Sequence, residues 1–205
     1  MERATLGPLS CLIRRTRAGA PTLVALHGRG ASADDLAELG DAIDASLNQV
    51  YPDAPRPWPA QGPVGLAWYD SGSDRAAEIA DSRARLLSTL AEVAKQVSDG
   101  PIVLMGFSQG ALMTMDAGLR DGSPARLLIA LSGYLNEPVG GPESPPLLVI
   151  HGTHDDVVPV AKGRDAHRVL VERGVRVTYE EVAMGHEIRP PVVRRVGQFI
   201  REAKL

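Results

Sequence analysis

The chain has 205 residues, of which 44% are hydrophobic and 23% charged, with a formal net charge of −3. Such a composition suits one globular domain with a sizeable core. It gives no basic surface for a nucleic-acid partner, and the single cysteine, Cys11, excludes an internal disulfide. Met1 to Ala20 holds four arginines and no apolar stretch of signal-peptide length, and no segment reaches membrane-spanning length. The expected setting is therefore soluble and reducing, such as the cytoplasm, without integral membrane association.

Leu9 to Thr16 has the pattern of an edge-like strand that carries Cys11, and Thr22 to Leu26 (TLVAL) that of a buried one ending in His27-Gly28-Arg29-Gly30. Ser32 is a suitable N-cap, with Asp34 and Asp35 in the first turn of a helix expected to run to about Leu47. Pro52 to Ser73 contains five prolines among glycines, so no regular element is expected there. Half of the chain's aromatic residues lie in or beside it, at Tyr51, Trp58, Trp68 and Tyr69. A proline-stiffened loop rich in aromatics points to a binding role, set against simple tacking of the loop to the core.

Asp74 to Val97 carries Ile79, Leu86, Leu90 and Val93 at helical spacing. Gly100-Pro101 stops that helix and leads into Ile102 to Met105, a run that suits a strand buried on both faces. Buried strands are also expected at Leu127 to Leu131 and at Leu147 to Ile150. A helix follows from Val160 to Arg173, an alternating strand from Val175 to Val182, and a terminal helix from Pro191 to Ala203. Strands alternate with helices throughout. A single α/β domain over residues 1–205 is expected, with a mostly parallel sheet covered on both faces and no insertion long enough for a large cap.

Chemistry concentrates where these strands end. Gly106-Phe107-Ser108-Gln109-Gly110 stands between a strand and a helix, the context of a nucleophile elbow, in which a sharp turn lifts the serine hydroxyl above the sheet. Acyl transfer through a serine also needs a base, a group that orients the base, and donors for the oxyanion. His186, in the loop after the last strand, is the candidate base. Asp155 and Asp156 both follow the Leu147 strand, and spacing alone does not choose between them. His151, His154, Asp155 and Asp156 could instead hold a metal, but they lack the spacing of a recognised metal motif. Oxyanion donors are expected from the backbone of Gln109 and of the His27 to Gly30 turn.

These stretches resemble the carboxylesterase/phospholipase branch of the α/β-hydrolases, which includes the acyl-protein thioesterases. The resemblance rests on LHGRGAS (Leu26 to Ser32), AWYD (Ala67 to Asp70), GFSQGA (Gly106 to Ala111), LSGYL (Leu131 to Leu135), HGTHDDVVP (His151 to Pro159) and MGHEI (Met184 to Ile188), in the family's order. It implies an α/β-hydrolase fold and a triad of Ser108, Asp155 and His186, since the acid of the HGxxDxxVP motif falls on Asp155. It also implies backbone oxyanion donors at Arg29 and Gln109. Trp68, Tyr69, Tyr134 and Val157 are the implied substrate-binding positions. The thioesterase members usually have an apolar residue where Arg29 stands. The implied activity is hydrolysis of small to medium carboxylic esters through an acyl-enzyme, without metal or organic cofactor; lysophospholipase or acyl-protein thioesterase activity is the alternative. Several members are dimers, which makes a homodimer a candidate assembly. A non-catalytic binding protein on the same fold is the rival from another class.

Overall fold

The computed structural model describes residues 1–58 and 65–205. Two antiparallel strands open the chain, β1 (Glu2–Leu6) and β2 (Leu9–Arg14), followed by β3 (Thr22–Leu26), helix α1 (Leu39–Asp44) and β4 (Asn48–Pro52). Two short strands, β5 (Arg56–Trp58) and β6 (Gly65–Ala67), precede the long helix α2 (Arg75–Gln96). Then come β7 (Ile102–Phe107), α3 (Gln109–Gly118), β8 (Ala125–Leu131), β9 (Leu147–Gly152), α4 (Val160–Glu172), β10 (Val177–Val182) and α5 (Pro190–Glu202).

Among the described residues eight strands form one sheet in the order β1-β2-β4-β3-β7-β8-β9-β10. β2 runs antiparallel to both its neighbours, and every pairing from β4 to β10 is parallel. Alternation along the central strand divides the core in two. Ile102 and Leu104 face a cluster with Leu86, Leu90, Met113 and Leu170 from α2, α3 and α4. Val103 and Met105 face Ile43 of α1 and Val192, Val196 and Phe199 of α5. Helices thus cover both faces of a mostly parallel sheet, as its uniformly apolar central strands require.

The structure departs from the sequence reading in three places. β1 was not legible as a strand; Gly7, at φ 58°, turns it back onto β2. The helix expected from Ser32 shrinks to a 3-10 turn at Asp34–Leu36 and the short α1, and Ser32 does not cap it by accepting a hydrogen bond. Its amide and hydroxyl instead donate to Asp35 at 2.8 and 3.0 Å. Tertiary bonds hold that stretch outside a helix: Gly30 N–H donates to Leu66, Leu66 N–H donates to Ala31, and Ala33 N–H donates to Asp53. The proline-rich segment carries regular structure after all, since β5 and β6 pair as an antiparallel ribbon. A two-stranded ribbon can hold Pro57 because it is all edge. Pro59 and Pro63 of that segment lie outside the described residues.

Gly106 and Gly110 are required by close approach. A Cβ on Gly110 would lie 2.2 Å from the Leu26 carbonyl oxygen, and one on Gly106 would lie 2.1 Å from that of Gly110. Overpacking of this kind costs about 1–3 kcal/mol. Gly110→Ala is therefore expected to lower the unfolding free energy, measured by urea titration, by that amount. Gly72→Ala, whose Cβ would meet nothing within 4 Å, should shift stability by less than about 0.5 kcal/mol.

Candidate active site

Ser108 stands between β7 and α3 with φ 56° and ψ −116°, far from the conformation of either element. An L-residue held there stores about 1–3 kcal/mol of strain. Ser108 N–H donates to the Leu131 carbonyl at 2.9 Å, and the Ser108 carbonyl accepts from Ala111 and Leu112, the first turn of α3. The backbone is thus bonded on both sides of the turn.

His186, from the loop after β10, presents Nε2 to Ser108 Oγ at 2.9 Å and Nδ1 to Asp155 Oδ2 at 2.8 Å. A carboxylate can only accept, so Nδ1 carries the proton and Nε2 is left to receive one from the serine. The Phe107 ring lies 4.7 Å from the imidazole, centroid to centroid. Asp155 is buried and its other oxygen accepts from Val157 and Val158 N–H at 3.0 and 2.8 Å. Burial pushes the Asp155 carboxyl up, but the bonds from His186 and the two amides outweigh it and hold the group below its ordinary value. Asp156 is exposed. Geometry therefore separates the neighbouring acids that spacing left open. His151, also buried, donates Nε2–H to the Val158 carbonyl at 2.8 Å and so closes the turn that bears Asp155. Among the described residues no three His, Cys, Asp or Glu side chains are grouped to hold a metal.

The expected oxyanion donors sit on either side of the serine. Gly28 packs against it, since a Cβ there would be 3.3 Å from Ser108 Cβ. Neither Arg29 N–H nor Gln109 N–H has a hydrogen-bond partner among the described residues. The buried His27 orients the first of them: its Nε2 accepts from Ala54 N–H at 3.0 Å, so Nδ1–H donates to the Gly28 carbonyl at 2.7 Å. That carbonyl and the Arg29 N–H share one planar trans peptide, so fixing the oxygen fixes the direction of the donor. Burial lowers the pKa of His27 and keeps it neutral for this task.

Trp68 differs from its expected place in a substrate pocket. Its side chain has no exposed surface and acts as a strut. Trp68 Nε1–H donates to the His27 carbonyl at 2.9 Å, and its backbone N–H donates to Gln109 Oε1 at 3.0 Å. Gln109 Nε2 in turn donates to the Tyr69 carbonyl at 2.8 Å. One residue thus ties together the two turns that carry the expected donors. Tyr69 is also buried, with its hydroxyl 2.9 Å from that of the half-buried Tyr134, while Val157 is 59% exposed beside the Asp155 turn. Sequence reasoning missed the supporting roles of His27, His151 and Phe107; the glycine-flanked histidines were visible, but nothing local showed what their rings would meet.

The phospholipase/carboxylesterase family model matches residues 11–204. The chain belongs to that family. It is 28% identical to lysophospholipase-like protein 1 of Mus musculus, over 93% of this chain and 90% of that protein. It is 27% identical to the esterase YpfH of Escherichia coli K12, over 81% and 75% of the two chains. The crystal structure of esterase PE8 superposes with a TM-score of 0.80 at 31% identity, covering 94% of this chain and 97% of that one. The fold is the α/β-hydrolase fold, and the protein is an esterase-type hydrolase. No described helix is long and apolar enough to cross a membrane.

A lowered carboxyl pKa stabilises the fold above the ordinary aspartate range, and that contribution is lost as pH falls through the folded value. Stability of the wild type, measured by urea titration at successive pH values, is expected to fall more steeply below about pH 4 than that of Asp155→Asn, which has no proton to gain there.

Proposed function

We propose that this family member hydrolyses carboxylic esters of small to medium acyl chains through a covalent acyl-enzyme on Ser108. The observation that carries this reading is the unbroken hydrogen-bond chain from Ser108 Oγ through His186 to Asp155 Oδ2. In the proposed reaction His186 Nε2 takes the hydroxyl proton as Ser108 Oγ attacks the ester carbonyl carbon. The negative charge that builds on the carbonyl oxygen is met by the N–H of Arg29, in the turn after β3, and by that of Gln109 at the N-terminus of α3, where the helix dipole adds to the effect. Collapse of the tetrahedral species expels the alcohol, which takes its proton from His186. Water then repeats the sequence on the acyl-enzyme, and Asp155 holds the imidazole in its working tautomer in both halves.

No organic cofactor or metal enters this scheme. The same groups act on a thioester or a lysophospholipid without change. That alternative is supported by the names of the mouse relative and of acyl-protein thioesterase 1 of Gibberella zeae, 31% identical over 49% of this chain. On substrate binding, the burial of Trp68 and Tyr69 leaves Tyr134 and Val157 as the accessible members of the expected pocket.

A fluorophosphonate probe should label the wild type at a single site and leave Ser108→Ala unlabelled. Equal labelling of the two would remove the serine from the mechanism. The acids give an independent check. Asp155→Asn should lower turnover of a short ester by on the order of 10⁴, because the amide cannot stabilise the imidazolium and favours the wrong tautomer. Asp156→Asn should cost less than about tenfold, as its exposed carboxylate acts only through screening solvent. Circular dichroism on both variants establishes that the fold is intact before rates are compared.

A further inference from the structure

Two arginines contact the segment that is bonded to the neighbour of Ser108, and neither has a carboxylate within 4.0 Å among the described residues. Arg29 follows the glycine that packs on Ser108. Its guanidinium lies 4.8 Å over the Trp58 ring and donates to Ser71 Oγ at 3.1 Å. Arg75 is the first residue of α2. Its guanidinium carbon lies 5.2 Å from the centre of the Tyr69 ring and 5.7 Å from that of Tyr134, and Nη2 donates to the Tyr134 hydroxyl at 3.2 Å. Both arginines therefore rest on the segment 69–75, whose Tyr69 carbonyl is bonded to the side chain of Gln109, the neighbour of the nucleophile.

The placement of Arg75 works against helix stability. A cation in the first turn of a long helix faces the positive end of its dipole. The neighbouring acids are engaged elsewhere: Asp70 accepts from Ser71 N–H at 2.7 Å, the N-cap Asp74 accepts from the Ser73 hydroxyl at 3.4 Å, and Glu78 accepts from Asp70 N–H at 2.5 Å and faces Arg56 at 3.5 Å. Tyr69 and Tyr134 share one hydrogen bond, so whichever hydroxyl donates to the other, one phenolic hydrogen is left over. Most of the Arg75 N–H groups are likewise without an acceptor among the described residues. A fixed, flat guanidinium beside a spare hydroxyl is matched by an anionic group with several acceptor oxygens.

We infer that Arg75, with Tyr69 and Tyr134 beneath it and Arg29 bonded to the same segment, forms a subsite for a carboxylate or phosphate carried by the ester that Ser108 attacks. This rests on the hydrolytic reading above and narrows its substrate class to esters bearing a second, anionic group. The cation holds the substrate's charged end, while the triad acts on its ester end.

Two matched pairs of esters test it by pH-stat: monoethyl glutarate against ethyl pentanoate for a carboxylate, and 1-acetylglycerol 3-phosphate against 1-acetylglycerol for a phosphate. The wild type should favour the anionic member of at least one pair by about tenfold in kcat/KM at low salt, the scale of a charge-assisted hydrogen bond at a half-buried site. The preference should reside in KM and shrink in about 0.5 M NaCl. The pair that shows it identifies the anion. Arg75→Gln should bring the ratio within a pair close to one, and Arg75→Lys should restore part of it. An unchanged ratio in Arg75→Gln, or no anionic preference in the wild type, overturns the inference.

Calorimetry with glutarate and glycerol 3-phosphate on Ser108→Ala, with and without Arg75→Gln, separates this inference from the reading beneath it. Arg75-dependent binding of either anion without turnover of any ester would uphold the subsite and remove the serine mechanism. Turnover of the neutral esters with no such binding would do the reverse.

Discussion

The site depends on how closely the backbone of α3 approaches that of β3. Gly110 lies so near the Leu26 carbonyl that no side chain fits, and Gly106 bears the same relation to Gly110. With the helix seated that close, the chain between strand and helix has room only for a reversal in one residue. Ser108 takes it up at a positive φ. The strain this stores is about 1–3 kcal/mol, a cost met by the parallel pairing of β7 with β3 and β8 and by the buried face of α3. The serine hydroxyl is presented above the sheet because the surroundings over-determine its backbone.

Around that turn the molecule spends buried polar groups on orientation. His27, Trp68, Gln109 and His151 are all buried, and each bonds to a backbone atom of a loop that carries a site residue. A buried donor or acceptor left unpaired costs about 1–3 kcal/mol, so each of these bonds resists the loop's moving away. Asp155 is held in the same way by two amides, with the imidazole on its remaining oxygen.

Much of this was legible in the sequence for a specific reason. A central parallel strand is apolar at every position, so β3, β7, β8 and β9 stand out as runs, and polar groups placed just after them mark the edge where the site sits. The chain order of Ser108, Asp155 and His186 could be read for the same reason. Weakly patterned elements could not. β1 carries charges at Glu2 and Arg3, and β5 contains a proline, so local propensity argued against both. The segment after Ser32 has a helical pattern, yet it closes only a 3-10 turn before α1; its entry is tied to residues distant in sequence, with Leu66 N–H donating to the Ala31 carbonyl and Ala33 N–H donating to Asp53.

The sequence by itself therefore determined the fold class, the family and the residue types at the ends of the strands, because these follow from hydrophobic pattern and local motif. Spacing left Asp155 and Asp156 open and the family motif pointed to Asp155; only the tertiary structure decided the hydrogen bond by which that carboxylate meets the imidazole. It also decided that Trp68 is a buried strut rather than a pocket wall, and that Arg75 lies over two tyrosines from different loops. The physical reason is the same in each case. The direction of a side chain on a turn is set by what packs against it, and those partners come from strands and helices far away along the chain.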